Sequence, residues 1–496
     1  MTNNSQSSNS GMKKPPLDLE PVVSSQVCIH SDEERLAQIG HQQELARRFS
    51  LPALGALCLC LMATWEALST VISAALANGV TKLDLSVLSF LSTICIAASM
   101  GEIASIYPTA GGQYHWVAAL CPVAARSAAS WITGWISIGG QIVLTASAAF
   151  AAGLQAQSLI ILNSDYSPTR WQGMLFYWAV LAYAAVLNIW GARLMPHVNL
   201  VMGITHIAAF VGIIVTIGAM SSKNTTSFVF TEVVNSSGWG STGVSWLVGL
   251  QSAVYPLLGY DAACHLAEEL PHASLHVPQA MVGSVLINGL MGLAYAIVLL
   301  YSAGSLESLL ETPTGFPFMQ IYLDATQSRA GTTVMSVMLV VVATAATVAG
   351  VASSSRTLWA FARDRATPFD SYLSAILLGL IYLGNTTAFN AVLSMAIIGN
   401  YLSYGSPIAC MLLYGRSTLQ RSDYGPFRMP PALVVPLFTP ATTCYTAATW
   451  QHNLSTAPAP STAPRVAITS TATAALDPRW VPNSAVADAI DLTDDN

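Results

Sequence analysis

Few side chains in the long apolar runs of this sequence can carry charge, and each has defined surroundings. Glu66 sits at the centre of one run, in Ala63-Thr64-Trp65-Glu66-Ala67, and His206 sits inside another. An ionised carboxylate deep in a bilayer is costly unless it faces a cavity or a partner. Glu66 therefore suits proton carriage or cation sensing, the competing reading being a neutral, hydrogen-bonded glutamic acid. An imidazole ordinarily titrates near neutral pH, which suits His206 to proton coupling; the competing reading is a satisfied packing histidine.

A third feature belongs to the backbone. Residues 249–269 read G-L-Q-S-A-V-Y-P-L-L-G-Y-D-A-A-C-H-L-A-E-E, a helical apolar pattern interrupted by Pro256 and Gly259. Proline removes a backbone donor and glycine accepts unusual torsions, so the pair predicts a broken helix. In lipid, the freed backbone groups are tolerated only where protein or a wet cavity satisfies them. The break is thus either a packing kink or a ligand site. At a ligand site, half-helix ends offer N–H groups to a carboxylate and carbonyls to a cation, serving both poles of a zwitterion.

The elements that position these groups are membrane spans. The chain has 496 residues, 53% of them apolar and 9% charged, with a mean hydropathy of +0.53. That composition is polytopic. Spans are expected at 51–77, 85–106, 128–161, 171–190, 197–220, the broken segment, 277–303 and 331–354. A net charge of −6 with no basic block excludes a nucleic-acid surface. The eight cysteines lack paired metal-ligand spacing and read as small hydrophobes.

Loop charges orient the spans. With the N-terminus inside, the inner segments hold Lys13, Lys14, Arg35, Arg47, Arg48, Arg126, Arg193, Arg356, Arg363, Arg365, Arg416, Arg421 and Arg428, the last three depending on how the end of the chain threads, and the outer ones only Lys82, Arg170, Lys223 and Arg329. This is the positive-inside pattern. Glycosylation sequons begin at Asn224 and Asn235, in the expected outer loop between spans 5 and 6. Residues 1–49 read as a disordered cytoplasmic tail, 50–428 as the membrane domain and 429–496 as a Pro/Ala/Ser/Thr-rich tail. Within the membrane domain, residues 374–385 hold ten apolar residues in a row. That makes about 15 Å of helix against a core of about 30 Å, too short to cross alone. The later run, 388–413, is long enough.

The string Glu102-Ile-Ala-Ser-Ile-Tyr-Pro-Thr-Ala-Gly-Gly-Gln-Tyr-His-Trp116 resembles the fungal amino acid/choline transporter branch of the amino acid-polyamine-organocation permeases. Trp65-Glu66-Ala67, Trp131-Ile-Thr-Gly-Trp135, Gly259-Tyr-Asp-Ala-Ala-Cys-His265 with Glu268-Glu269, Ser355-Arg356-Thr-Leu-Trp359 and Tyr424-Gly-Pro-Phe427 extend the likeness over roughly residues 45 to 428. It implies an all-α, LeuT-like fold of two inverted five-helix repeats with discontinuous helices 1 and 6. Here helix 9 is short, helices 11 and 12 have no clear counterpart, and Asn78-Gly79-Val80 stands where the family has Gly-Gly-Pro.

The resemblance places the substrate at Ala63, Thr64, Trp65 and Glu66 in helix 1 and at Tyr255, Pro256, Gly259 and Tyr260 in helix 6. The rings of Trp65, Tyr255 and Tyr260 can each face an ammonium, worth about 0.5 to 2 kcal/mol, or simply pack. Glu66 and His206 are the proton-coupling candidates. Glu102, Asp261, Glu268 and Glu269 are gating or structural residues, with Arg356 and Arg363 as ion-pair partners. A metal site among Asp261, His265, Glu268, Glu269, His272 and His276 is not expected, because Pro271 breaks the spacing and the first four match the family pattern. Thr344 and Thr347 are weak candidates for a sodium site.

The expected function is secondary active transport of a small nitrogenous solute, such as 4-aminobutyrate or choline, at the plasma membrane by alternating access with proton coupling. The alternatives are an exporter or polyamine carrier, or, from the short helix 9 and missing helices 11 and 12, a non-transporting remnant. No cofactor, metal or catalysis is expected, since no phosphate loop, nucleophile elbow or paired catalytic carboxylates appear. The partners are the solute, protons and the bilayer. Oligomeric state is not legible.

Overall fold

The structure is a computed structural model that describes residues 36–37, 41–78, 83–231, 240–367 and 386–429. Among these, the regular elements are all helical. We number them α1 (Leu51–Met62), α2 (Thr64–Ala77), α3 (Leu83–Ile106), α4 (Gln113–Leu120), α5 (Val123–Asn163), α6 (Arg170–Trp190), α7 (Met195–Met220), α8 (Thr226–Phe230), α9 (Thr242–Val254), α10 (Ala262–His265), α11 (Ala273–Tyr301), α12 (Leu306–Leu310), α13 (Pro317–Thr326), α14 (Arg329–Arg363), α15 (Thr386–Cys410) and α16 (Arg416–Thr418). Eight described helices, with α1 and α2 counted as one, are long and apolar enough to cross a membrane.

Both discontinuities are present. Ala63 separates α1 from α2 with φ 40° and ψ 48°, a left-handed conformation that costs a non-glycine residue about 1–2 kcal/mol. Sequence composition at that point carries no proline or glycine to announce it. In the other broken span, α9 ends in a tight turn, Tyr255–Leu257, and Gly259 takes φ 103° before α10 begins. A side chain at Gly259 would be strained by that torsion and would also meet Leu61 of α1 at 3.0 Å.

Helix packing explains which spans surround these breaks. The long α5 and α14 lie against each other, α11 packs on α3, and α1 packs on α7 and α11. At the crossing of α5 and α15 the backbones nearly touch: a Cβ on Gly140 would come 2.9 Å from the backbone nitrogen of Asn400. In contrast, α6 and α7 turn apolar side chains outward, with Trp178, Val186, Ile189, Val201, Ile204 and Val215 all exposed. Such a surface suits lipid, where no polar partner is needed.

The structure revises several boundaries. The span expected at 331–354 continues to Arg363, because Arg356 and Arg363 find carboxylate partners beyond the apolar part. Residues 41–49, expected within a disordered tail, are held: Phe49 is buried, and the N–H groups of Arg48 and Phe49 both donate to the carbonyl of Glu269. After Pro407 the run at 388–413 loosens into a wider turn, Met411–Gly415. The short segment 374–385, Asn235 and the tail from residue 430 lie outside the described residues.

Candidate functional site

Around the two breaks lies a small cavity, lined by Ala63, Glu66 and Thr70 from the first span, Leu144, Ala148, Ala151 and Gln155 from α5, Tyr255 and Leu258 from the broken span, and Ala343 and Ala346 from α14. Its volume is about 40 Å³, room for a few waters. Admission of a solute therefore requires these helices to part.

Thr64 ties the breaks together, its hydroxyl donating to the carbonyl of Pro256 at 2.7 Å. Asn288 of α11 donates to the carbonyl of Leu59 at 3.1 Å. The Pro256 carbonyl, freed by the break, is thus met by a side chain, whereas the Leu59 carbonyl takes Asn288 in addition to the N–H of Ala63.

Glu66 and His206 meet although 140 positions apart. His206 Nδ1 lies 2.7 Å from Glu66 Oε1, and His206 Nε2 lies 3.0 Å from Asn288 Oδ1. Because the Asn288 amide nitrogen already donates to Leu59, its oxygen is the atom turned to the histidine, so Nε2 carries a hydrogen. Nδ1 and Oε1 then share a proton between them. The other carboxylate oxygen, Oε2, is buried without a hydrogen-bond partner among the described residues, in a side chain that lines the cavity.

Gln155 is the second such group. It is fully buried, and both its amide nitrogen and oxygen lack partners among the described residues. Burying an amide without a partner costs about 1–3 kcal/mol, an expense a ligand would remove. Sequence reasoning passed over it because an amide inside a small-residue stretch of α5 carries no charge signal.

Of the eight expected substrate residues, Ala63, Glu66 and Tyr255 line the cavity. The other five are differently placed. The hydroxyl of Thr64 is committed to Pro256, and Pro256 and Gly259 shape the turn from behind. Trp65 is wholly buried against His206, Phe210 and Tyr295, and Tyr260 packs on Tyr404, so neither ring is offered to the cavity. For Trp65 the reason is helical phase: one position before Glu66 on α2, its side chain points to another face of the helix. Tyr255 does present its side chain there, with its hydroxyl 2.8 Å from Ser147.

On the inner side, carboxylates and arginines close the space. Arg363 grips Glu268 with two nitrogens, at 2.9 and 3.2 Å, and the Ala110 N–H donates to the same carboxylate at 3.1 Å. Arg356 donates to Glu269 at 2.8 Å. Glu102 takes Arg416 and the Met429 N–H, a partnership invisible in the sequence because more than 300 residues separate the pair. Asp261, expected to ion-pair with an arginine, instead accepts from Gln113 at 3.0 Å and Tyr404 at 2.7 Å, with His265 Nε2 at 3.4 Å. His265 and Gln141 fill the space between. Beside this layer, burial and then the neighbouring His41 push the His115 imidazole down to about 4.

At the sequon of Asn224 the side chain is engaged in hydrogen bonds. Its amide nitrogen, the atom a glycan would occupy, donates to the carbonyls of Leu300 at 2.9 Å and Ala303 at 2.6 Å. Attachment in this fold would replace one of the two amide hydrogens and so break at least one of these bonds.

Comparison with known proteins adds the following. Residues 50–470 match the family model described as amino acid permease. The chain is 32% identical over 342 residues to a putative amino acid/polyamine transporter of Macrophomina phaseolina, covering 65% of this chain and 75% of that one. It is 26% identical over 446 residues to a choline transporter of Saccharomyces cerevisiae, covering 85% and 78%. Its fold is similar to that of the crystal structure of MhsT in complex with L-phenylalanine, with a TM-score of 0.52 and 14% identity over 81% of this chain and 98% of that one. The fold is LeuT-like.

Proposed function

The chain belongs to the amino acid permease family, transporters of amino acids or similar solutes across membranes, and on that premise we propose that it carries a small cationic or zwitterionic amine by proton-coupled alternating access. One observation carries this reading: at the helix break, Glu66 lines the cavity and keeps one carboxylate oxygen unpartnered among the described residues while the other is held by His206. Glu66 is the one acidic or basic side chain lining the cavity. An ammonium is the complement of that oxygen, and the Tyr255 ring adds a cation–π face worth about 0.5 to 2 kcal/mol. Gln155 suits a hydroxyl, carbonyl or carboxylate at the solute's other end.

Charge counting gives the coupling a sign. With one proton, Glu66 and His206 together are neutral and tolerate an ammonium at Oε2. A second proton makes the pair positive and disfavours the cation. Choline should therefore bind more weakly as pH falls. The paired carboxylates and arginines on the inner side serve as the gate whose opening releases the solute.

The test is uptake of labelled choline, 4-aminobutyrate and a mixed amino-acid set by permease-deficient yeast expressing the full chain, with surface expression verified and pH varied. Saturable uptake is expected, with a KM for choline that rises as pH falls. Glu66→Gln should lower uptake tenfold or more, and His206→Ala should flatten the pH profile. Wild-type uptake that keeps its rate and pH profile in both variants would overturn the reading.

A further inference from the structure

We propose that His41, His115 and Asp364 bind a divalent transition-metal ion of zinc's preferences, and that the ion staples the segment before α1 to the inner gate. The site is built from three separate parts of the chain: the segment preceding α1, the short helix α4 and the residue that ends α14. One donor atom from each lies within 4.8 Å of the other two. The two imidazoles have centroids 5.3 Å apart and are tilted by 53°, so they converge without stacking.

The donors are close to what coordination needs. Nitrogens bound tetrahedrally to zinc at its usual bond lengths stand about 3.3 Å apart. Donors at most 4.8 Å apart need to close by no more than about 1.5 Å to reach that distance. Two imidazoles and one carboxylate favour zinc or cobalt over magnesium or calcium, which ask for six or more oxygens. The carboxylate is already oriented, with the Tyr114 hydroxyl donating to Asp364 Oδ2 at 2.9 Å, the kind of outer contact that holds metal-ligating carboxylates. Arg363 Nε stands 3.5 Å from Asp364 Oδ1, but its charge is balanced by the two-pronged contact with Glu268.

The location gives the ion its effect. The segment that carries His41 also sends the Gln43 amide to the carbonyl of Glu268 at 2.7 Å, and the N–H groups of Arg48 and Phe49 to that of Glu269. Asp364 adjoins Arg363, the partner of Glu268. A metal bond between His41 and Asp364 would add a strong tie across parts that separate when the inner side opens. This effect rests on the gate reading given above; metal binding itself does not.

Binding and transport are therefore measured separately. Purified full-length protein in lipid nanodiscs is titrated with zinc, and with cobalt as a spectroscopic probe, for wild type, His41→Ala and His115→Ala. One ion per chain is expected, with the visible bands of low-coordinate cobalt, affinity reduced at least tenfold in each variant and no competition from magnesium. Absence of binding to wild type, or affinity unchanged in both variants, overturns the site. In the uptake assay, zinc should slow wild type and spare His41→Ala, which retains its metal-free rate. Intact binding with zinc-insensitive wild-type uptake overturns the stapling effect, and absent uptake in the presence of normal zinc binding overturns the transport reading instead.

Discussion

A single buried amide separates structural from functional demand in this protein. Gln155 has no hydrogen-bond partner among the described residues, so its polarity contributes nothing evident to the resting fold. Replacement by leucine removes an unsatisfied group and keeps a similar volume, and such exchanges are neutral or stabilising. Gln155→Leu should leave the thermal midpoint unchanged or higher while raising KM severalfold for solutes that carry a hydroxyl or carboxylate. A lowered midpoint with unchanged KM would make the amide a structural group. The Glu66–His206 pair behaves differently, since each half satisfies the other and Asn288 fixes which histidine nitrogen carries hydrogen.

Among the elements, close helix approach is set by small residues. Gly140 of α5 lies against the backbone of Gly399 and Asn400 in α15, and backbone 2.9 and 3.1 Å from an added Cβ cannot yield as a side-chain tip can. A methyl group there forces the helices apart, and overpacking of this kind costs about 1–3 kcal/mol. Gly140→Ala should therefore lower the thermal midpoint of the purified protein, whereas Gly139→Ala, which meets nothing within 4 Å, should leave it unchanged apart from a small helix-propensity gain. Equal behaviour of the two would show that the crossing is looser than drawn. The break at Ala63 is likewise a property of two elements together, held by Thr64 bonding to Pro256 of the other broken span.

For the whole molecule, the gate proposed above makes the Arg356–Glu269 and Arg363–Glu268 pairs the contacts that close one side of the cavity. Glu268 is fully buried at its side chain, and removing its partner leaves a charge that costs about 3–5 kcal/mol in that setting. The protein can relieve this cost by opening inward and hydrating the carboxylate. A cysteine in place of Ala148, on the cavity wall, should accordingly react faster with a thiol reagent applied from the cytoplasmic side when combined with Arg363→Ala than when alone. Equal reactivity would mean that this pair does not hold the gate.

Much of this architecture is legible along the chain, because bilayers impose long apolar runs and Pro256 with Gly259 interrupts one of them in a way local chemistry cannot conceal. Sequence also marked Glu66 and His206 as costly in lipid, but spacing along a chain says nothing of their contact across two helices. Tertiary structure alone decided that they pair, that Asn288 sets their hydrogens, that Trp65 and Tyr260 pack away from the cavity, and that Gln155 faces it unpartnered. The physical reason is that burial and periodicity are recorded residue by residue, whereas helical phase and the meeting of distant polar groups are fixed only when the helices pack.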